Sequence, residues 1–258
     1  MQIQEKVDGE FKYFDQGSGP IVLILHGLFG TLSNFEEIIN LSGGRFRFVM
    51  PILPIYDSDI KDANIDGMLT YLKKFIAKYE LRDYTLLGNS LGGHIALMHE
   101  LSSPKIAKAM VLTGSSGLFE NALGSEYPRR DKVKIKERIL EIFGNKDVVT
   151  DEIIEEAFDI VTNYSKVLRV LKMAKSAVRH NLTHEIEKIK TKTLLIWGEI
   201  DTITPPFVAH QFHEKLTNSE LKFIPNCGHA PMMEYPKEFS SFLFPFLDQI
   251  YANDKPSV

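Results

Sequence analysis

Six short runs of the chain, at 21–25, 46–50, 84–87, 109–112, 193–197 and 221–224, are almost wholly apolar and rich in β-branched residues. Runs of this length without polar alternation suit strands buried on both faces. Between them lie helical patterns. The clearest puts Ile65, Met68, Leu69, Leu72, Ile76 and Tyr79 on one face at i, i+3, i+4 spacing. Strand and helix alternating in this way predict a parallel sheet with helices on both faces, an α/β fold. The first stretch, 2–15, instead alternates polar and apolar residues around Asp8-Gly9, which predicts a tight β-hairpin at an antiparallel edge. One interval breaks the rhythm. Residues 118–192 contain no good strand and instead carry Lys- and Glu-rich helical segments near 134–143, 151–161 and 165–179. We read 118–192 as a helical cap inserted into a core made of 1–117 and 193–258. A last helix near 239–251 closes the fold.

Composition narrows the function more than the fold. The 258 residues, 44% of them apolar, suffice for one large core. A net charge of −4 carries none of the basic excess that binding a phosphate backbone requires, so nucleic acid is set aside as a partner. The single Cys227 cannot form an internal disulfide, and the first residues, MQIQEKVDGE, lack a charged-then-apolar leader pattern. Both favour a cytoplasmic location. The apolar runs fall far short of the roughly 20 residues that span a bilayer, so no transmembrane segment is expected. Oligomeric state is left open.

The residues that carry chemistry sit at the ends of the strands. The run 84–87 leads into Gly88-Asn89-Ser90-Leu91-Gly92-Gly93 and then into the helix-like His94-Ile95-Ala96-Leu97. A serine on a sharp strand-to-helix turn needs small residues two positions to either side, because the backbone packs closely there. Its hydroxyl is lifted off the sheet edge, next to free N–H groups of the helix N-terminus. Asp201 follows the strand at 193–197, in Trp197-Gly198-Glu199-Ile200-Asp201, and His229 follows the strand at 221–224, in Cys227-Gly228-His229. In a parallel sheet all three loops lie at the carboxyl edge, where open α/β sheets bind ligands. A serine needs a base to take its proton, and an imidazole needs a carboxylate to fix its tautomer. Ser90, His229 and Asp201 are of the right types for nucleophile, base and orienting acid. A fourth loop, His26-Gly27-Leu28-Phe29-Gly30, follows the strand at 21–25. Its Leu28 N–H is expected to pair with that of Leu91 as an oxyanion hole, with the His26 imidazole in a structural role.

These segments, HGLFG, GNSLGG, WGEID and CGH, together resemble the oxyanion loop, nucleophile elbow, acid turn and histidine loop of the α/β-hydrolase superfamily. The resemblance covers nearly the whole chain. It implies an eight-stranded, mostly parallel sheet and a helical cap inserted after the sixth strand. One departure is plain. Where relatives often carry Asp-Leu-Pro-Gly-x-Gly-x-Ser after the fourth strand, this chain has Ile52-Leu53-Pro54-Ile55-Tyr56-Asp57-Ser58, so that loop is expected to differ in shape.

Other polar residues have plainer readings. His94 fits a packed position inside the elbow helix. His210 and His213 have helical i, i+3 spacing but no third ligand at a suitable distance, so no metal is expected. His180 and His184, at the end of the cap, can face solvent or substrate. Cys227 reads as a small buried filler, and the basic run 129–138 as a solvated helix start. The reaction expected is hydrolysis of a small-molecule carboxylic ester through an acyl-enzyme on Ser90, with no cofactor. The alternatives are a C–C bond hydrolase of meta-cleavage diketone acids, whose elbow the Gly88-Asn89-Ser90 triplet resembles, and a non-catalytic small-molecule sensor on the same fold. The first usually has a tryptophan shortly after the histidine, and here Ala230-Pro231-Met232-Met233-Glu234 follows.

Overall fold

The computed structural model describes residues 4–30, 32–121 and 131–252. In chain order its elements are β1 (Lys6–Asp8), β2 (Phe11–Gln16), β3 (Ile21–Leu25), α1 (Glu36–Leu41), β4 (Arg47–Pro51), α2 (Ile65–Lys78), β5 (Thr85–Asn89), α3 (Leu91–Ser102) and β6 (Ala109–Thr113). There follow α4 (Lys132–Ile142), α5 (Asp151–Thr162), α6 (Tyr164–Arg179), β7 (Lys192–Gly198), α7 (Pro206–Lys215), β8 (Ser219–Ile224), α8 (Pro231–Glu234) and α9 (Pro236–Ile250). The eight strands form one sheet in the order β1-β2-β4-β3-β5-β6-β7-β8. β1, β2 and β4 pair antiparallel, and every pair from β4 to β8 is parallel.

Alternate residues of each central strand feed two separate cores. Leu23, Leu25, Leu86, Met110, Leu112, Leu195 and Trp197 pack with α2, α3 and α7 on one face. Val22, Ile24, Leu87, Ala109, Val111, Leu194 and Ile196 pack with α1 and α9 on the other. Burial on both faces is why these strands read as unbroken apolar runs. β8 departs from that expectation: it is the last strand of the sheet, and Glu220 and Lys222 are exposed while Leu221 and Phe223 are only half-buried. Successive side chains point to opposite faces, and at this end of the sheet the two faces are unequally covered, so burial alternates along the strand.

Helix starts are set by side-chain caps that periodicity does not show. Asp131 accepts from the N–H groups of Val133 and Lys134, Thr150 from Ile153, and Asn163 from Ser165 and Lys166. These caps begin α4 and α6 one or two residues before the apolar pattern does. α4 and α5 enclose a small cluster of their own around Ile135, Ile139 and Ile154. α6 is tied to the sheet-bearing part, where Ser176 Oγ accepts from Ile65 N at 3.1 Å and Arg169 Nε donates to the Ser58 carbonyl at 2.9 Å. Arg129 and Arg130 of the basic run, and the first residues of the expected hairpin, lie outside the described residues. From Lys132 to Lys134 that run is the exposed first turn of α4. Among the described residues no helix is long and apolar enough to cross a membrane.

Candidate active site

The strand order reverses at β3: the chain passes from β3 to β4 on one side and then to β5 on the other. The crevice at the carboxyl ends of β3 and β5 is therefore the topological switch point. The His26-Gly27-Leu28 loop follows β3, and Ser90 sits between β5 and α3. Ser90 has φ 54° and ψ −119°, a sparsely populated conformation that costs about 1–3 kcal/mol and persists only where the surroundings impose it. Here two close approaches impose it. A Cβ on Gly92 would lie 1.9 Å from the Leu25 carbonyl oxygen, and one on Gly88 2.6 Å from Gly93 Cα. The Ser90 N–H donates to the Thr113 carbonyl at 3.1 Å, locking the turn to β6.

Asp201 and His229 meet. The imidazole Nδ1 lies 2.9 Å from Asp201 Oδ2 and 3.1 Å from Oδ1, and the carboxylate is fully buried. The same carboxylate accepts from the N–H groups of Ile203 and Thr204 at 2.8 and 2.9 Å and from Thr204 Oγ1 at 2.9 Å. Such a cradle fixes both oxygens and leaves Nδ1 as the proton-bearing nitrogen. The indole of the buried Trp197 supports the turn from below, donating to the Thr204 carbonyl at 2.7 Å. Burial works to lower the His229 pKa. The charge and hydrogen bond of Asp201, followed by the charges of Glu120 and Glu234, outweigh it and leave the pKa raised. Ser90 is joined to the histidine loop through its neighbour, since Asn89 Nδ2 donates to the carbonyls of Thr113 at 3.0 Å and His229 at 3.2 Å. Among the described contacts, Ser90 Oγ and the imidazole are not hydrogen-bonded to each other.

Leu91 is the first residue of α3, so its N–H has no carbonyl four residues back within the helix. Gly27, next to Leu28, packs on the elbow: a Cβ there would lie 3.3 Å from that of Ser90. His26 holds this loop in place, with Nδ1 2.8 Å from the Gly27 carbonyl and Nε2 accepting from Leu53 N at 2.9 Å. Its pKa is lowered by burial, so the ring is a neutral strut. The segment 52–58 is anchored here through Leu53 N and through the Tyr56 hydroxyl, which donates to the Leu28 carbonyl. Burial, with the charge of Glu156 behind it, raises the Tyr56 pKa and keeps that hydroxyl protonated.

Several residues of the site escape a reading by motif. Gly114, with φ +50°, lies under the imidazole, and a Cβ there would fall 2.9 Å from His229 Nδ1. Thr204 completes the carboxylate cradle. Glu120, beyond β6, is close enough to interact with His229, and burial raises its pKa. The signal for each is positional, a residue shortly after a strand end on the same edge. Most of the other histidines have partners of their own: His94 Nε2 contacts the His180 carbonyl, His180 Nε2 lies 3.2 Å from Asp66, His99 Nε2 contacts the Tyr84 hydroxyl, His213 Nδ1 contacts Ser219 Oγ, and the His210 ring packs against Phe223. Cys227 is buried, and burial, with the charges of Glu234 and Asp201, pushes its thiol pKa up, away from the thiolate form.

Known proteins share both the sequence pattern and this architecture. A crystal structure of MGS-MChE2, an alpha/beta hydrolase enzyme from a sediment metagenome of the Mar Chica lagoon, is 36% identical, with a TM-score of 0.78 over 95% of this chain and 98% of that one. The bovine monoacylglycerol lipase ABHD6 is 22% identical over 92% of this chain and 78% of its own. A pimeloyl-(acyl-carrier protein) methyl ester esterase of Nitrosomonas europaea is 25% identical over 87% and 94% respectively. The sequence profile of the alpha/beta hydrolase family matches residues 21–242, a span that takes in the elbow, the acid turn and the histidine loop. An eight-stranded sheet with its serine turn at the switch point, joined to that match, means that the chain is an enzyme belonging to the alpha/beta hydrolase family.

Proposed function

We propose that the chain is a serine hydrolase that cleaves a small-molecule carboxylic ester through an acyl-enzyme on Ser90. His229 is the general base, Asp201 the orienting acid, the N–H groups of Leu28 and Leu91 the oxyanion hole, and 118–192 a cap over the site. The observation that carries this reading is the Asp201–His229 pair. A buried carboxylate on Nδ1 leaves Nε2 free to accept a proton on the edge where the serine turn stands. Relatives named as a lipase and as a methyl ester esterase support the choice of an ester.

In the proposed cycle Ser90 Oγ attacks the acyl carbon while its proton passes to His229 Nε2. The carbonyl electrons move onto oxygen, where the two amides meet the charge. Collapse of the tetrahedral intermediate breaks the bond to the alkoxide, which takes the proton from Nε2 and leaves as alcohol. Water then attacks the acyl group with the same base, releasing the acid and restoring the serine. In this cycle the bond between hydroxyl and imidazole forms on substrate binding.

A fluorophosphonate probe should label the protein, with the adduct mapped by peptide mass spectrometry to the tryptic fragment holding Ser90. Well-folded protein that stays unlabelled would point to a sensor instead. Short p-nitrophenyl esters assayed beside a vinylogous diketone acid distinguish the bond cleaved; turnover of the diketone alone would replace ester with C–C hydrolysis. Tyr56→Phe removes one hydrogen bond, worth about 1 kcal/mol, from the carbonyl of Leu28. We expect kcat on a short ester to fall about fivefold. An unchanged kcat would show that the hydroxyl does not hold the oxyanion loop.

A further inference from the structure

The loop that carries His229 is gripped by a buried carboxylate that the cycle above does not use. Glu234, at the end of α8, is only 3% exposed. Its Oε2 accepts from the backbone N–H groups of Gly228 at 2.9 Å, Gly144 at 2.7 Å and Asn145 at 3.0 Å, and its Oε1 from Ala230 at 3.0 Å. Asn145 Nδ2 returns a bond to the Glu234 carbonyl at 3.2 Å. A buried carboxylate is tolerated only when donors replace its water, and four converging N–H groups do so here. Two of them, on Gly228 and Ala230, belong to the residues either side of His229. The other two belong to the segment that follows α4.

Those two segments touch backbone to backbone. His229 N donates to the Ile142 carbonyl at 3.1 Å. A Cβ on Gly144 would lie 2.0 Å from the Asn226 oxygen, and one on Gly228 2.3 Å from the Ile142 oxygen. Nothing larger than glycine fits at either position, so the inserted helices and the histidine loop share one seam, and Glu234 is the anion at its centre.

We propose that Glu234 is a positioning residue for His229, fixing the peptide groups on both sides of the imidazole and tying them to the end of α4. The inference rests on the reading of Ser90 and His229 as nucleophile and base. The charges of three carboxylates act on that imidazole: Asp201 from the turn after β7, Glu120 from the segment after β6, and Glu234 from α8. Glu234→Gln keeps the shape of the side chain but turns an NH2 group towards at least one of the four N–H donors, and it removes one of the three negative charges.

The test is the pH dependence of kcat/KM on p-nitrophenyl acetate for wild type, Glu234→Gln and Glu234→Asp, with fluorophosphonate inactivation rates and thermal melts measured alongside. Displacing a catalytic group by a fraction of an ångström to an ångström lowers rates by about 10- to 100-fold. We expect a fall in kcat within that range for the Gln variant, with inactivation slowed in proportion and KM little changed. Its acidic limb should move to lower pH, because a charge that favours the imidazolium is gone. The Asp variant keeps the charge with a shorter reach, so its limb should stay at the wild-type position while kcat falls. A Gln variant with wild-type kcat and a wild-type limb, even one that melts earlier, overturns the proposal and leaves Glu234 a role in folding alone. Should the Gln variant not fold, the Asp variant decides: lowered kcat with an unmoved limb supports the proposal, and wild-type kcat overturns it. Failure of the underlying reading shows separately, as wild-type protein that the phosphonate does not label.

Discussion

Replacing Ser90 with alanine is expected to lower kcat on a p-nitrophenyl ester by a factor on the order of 10⁵ or more, and to abolish fluorophosphonate labelling, while the protein stays folded. The loss is large because the group proposed to form the acyl-enzyme is gone. The turn that holds Ser90 is built by backbone contacts of Gly88 and Gly92, and it aims one side chain only. The fold survives because the Ser90 side chain makes no capping bond to α3. Alanine meets the same φ and ψ as serine, so the conformational strain is unchanged. Thermal stability should shift by no more than about 0.5 kcal/mol. Residual turnover above the uncatalysed rate would come from the oxyanion loop and binding. Labelling that persists in the folded variant would place the nucleophile elsewhere.

Asp201→Asn should cost nearly as much, on the order of 10³- to 10⁴-fold in kcat, through a different cause. The amide oxygen will accept from the N–H groups of Ile203 and Thr204, which now meet Oδ1, and this turns the NH2 group towards His229 Nδ1. That nitrogen must then become an acceptor, so the proton moves to Nε2. The ring presents a donor where Ser90 needs a base. The pH profile separates this from simple misfolding. As the proposed base, the wild-type imidazole must be neutral to act; burial lowers its pKa, but the charge and hydrogen bond of Asp201 together with the charges of Glu120 and Glu234 outweigh that and leave it above the ordinary value of 6.5. Activity should therefore fall as pH drops through a midpoint above about 6.5. In the Asn variant the largest raising influence is gone while burial remains, and the residual activity should persist to lower pH. An acidic limb in the same place in both proteins would show that another group governs it.

What could be read from the chain and what could not divide along a physical line. Strands such as Ile21–Leu25 and Ala109–Thr113 are local facts: both faces are buried, so every residue except Thr113 is apolar and the run announces itself. The serine turn is also local, because the backbone crowding that requires glycine lies within a few residues of Ser90. β8 is the converse case, since nothing in Leu221–Ile224 by itself says that no strand lies beyond it. The supports of the site are long-range. The Tyr56 hydroxyl meets a carbonyl 28 residues away, and the Glu234 carboxylate meets N–H groups 89 and 90 residues away. Neither has a periodicity to betray it. The unusual 52–58 segment stands out in the sequence, but its ties to His26 and to the Leu28 carbonyl are long-range and leave no local signal.

The chain has one tryptophan, and its indole N–H is bound to the carbonyl of Thr204, one link from the acid. Its intrinsic fluorescence, excited at the red edge where tyrosine does not absorb, therefore reports on a single turn rather than on an average over the molecule. Opening of that turn would redden the emission, and a ligand that tightens it would leave the spectrum blue and harder to quench. The protein thus carries its own optical probe beside the carboxylate, with no label to attach.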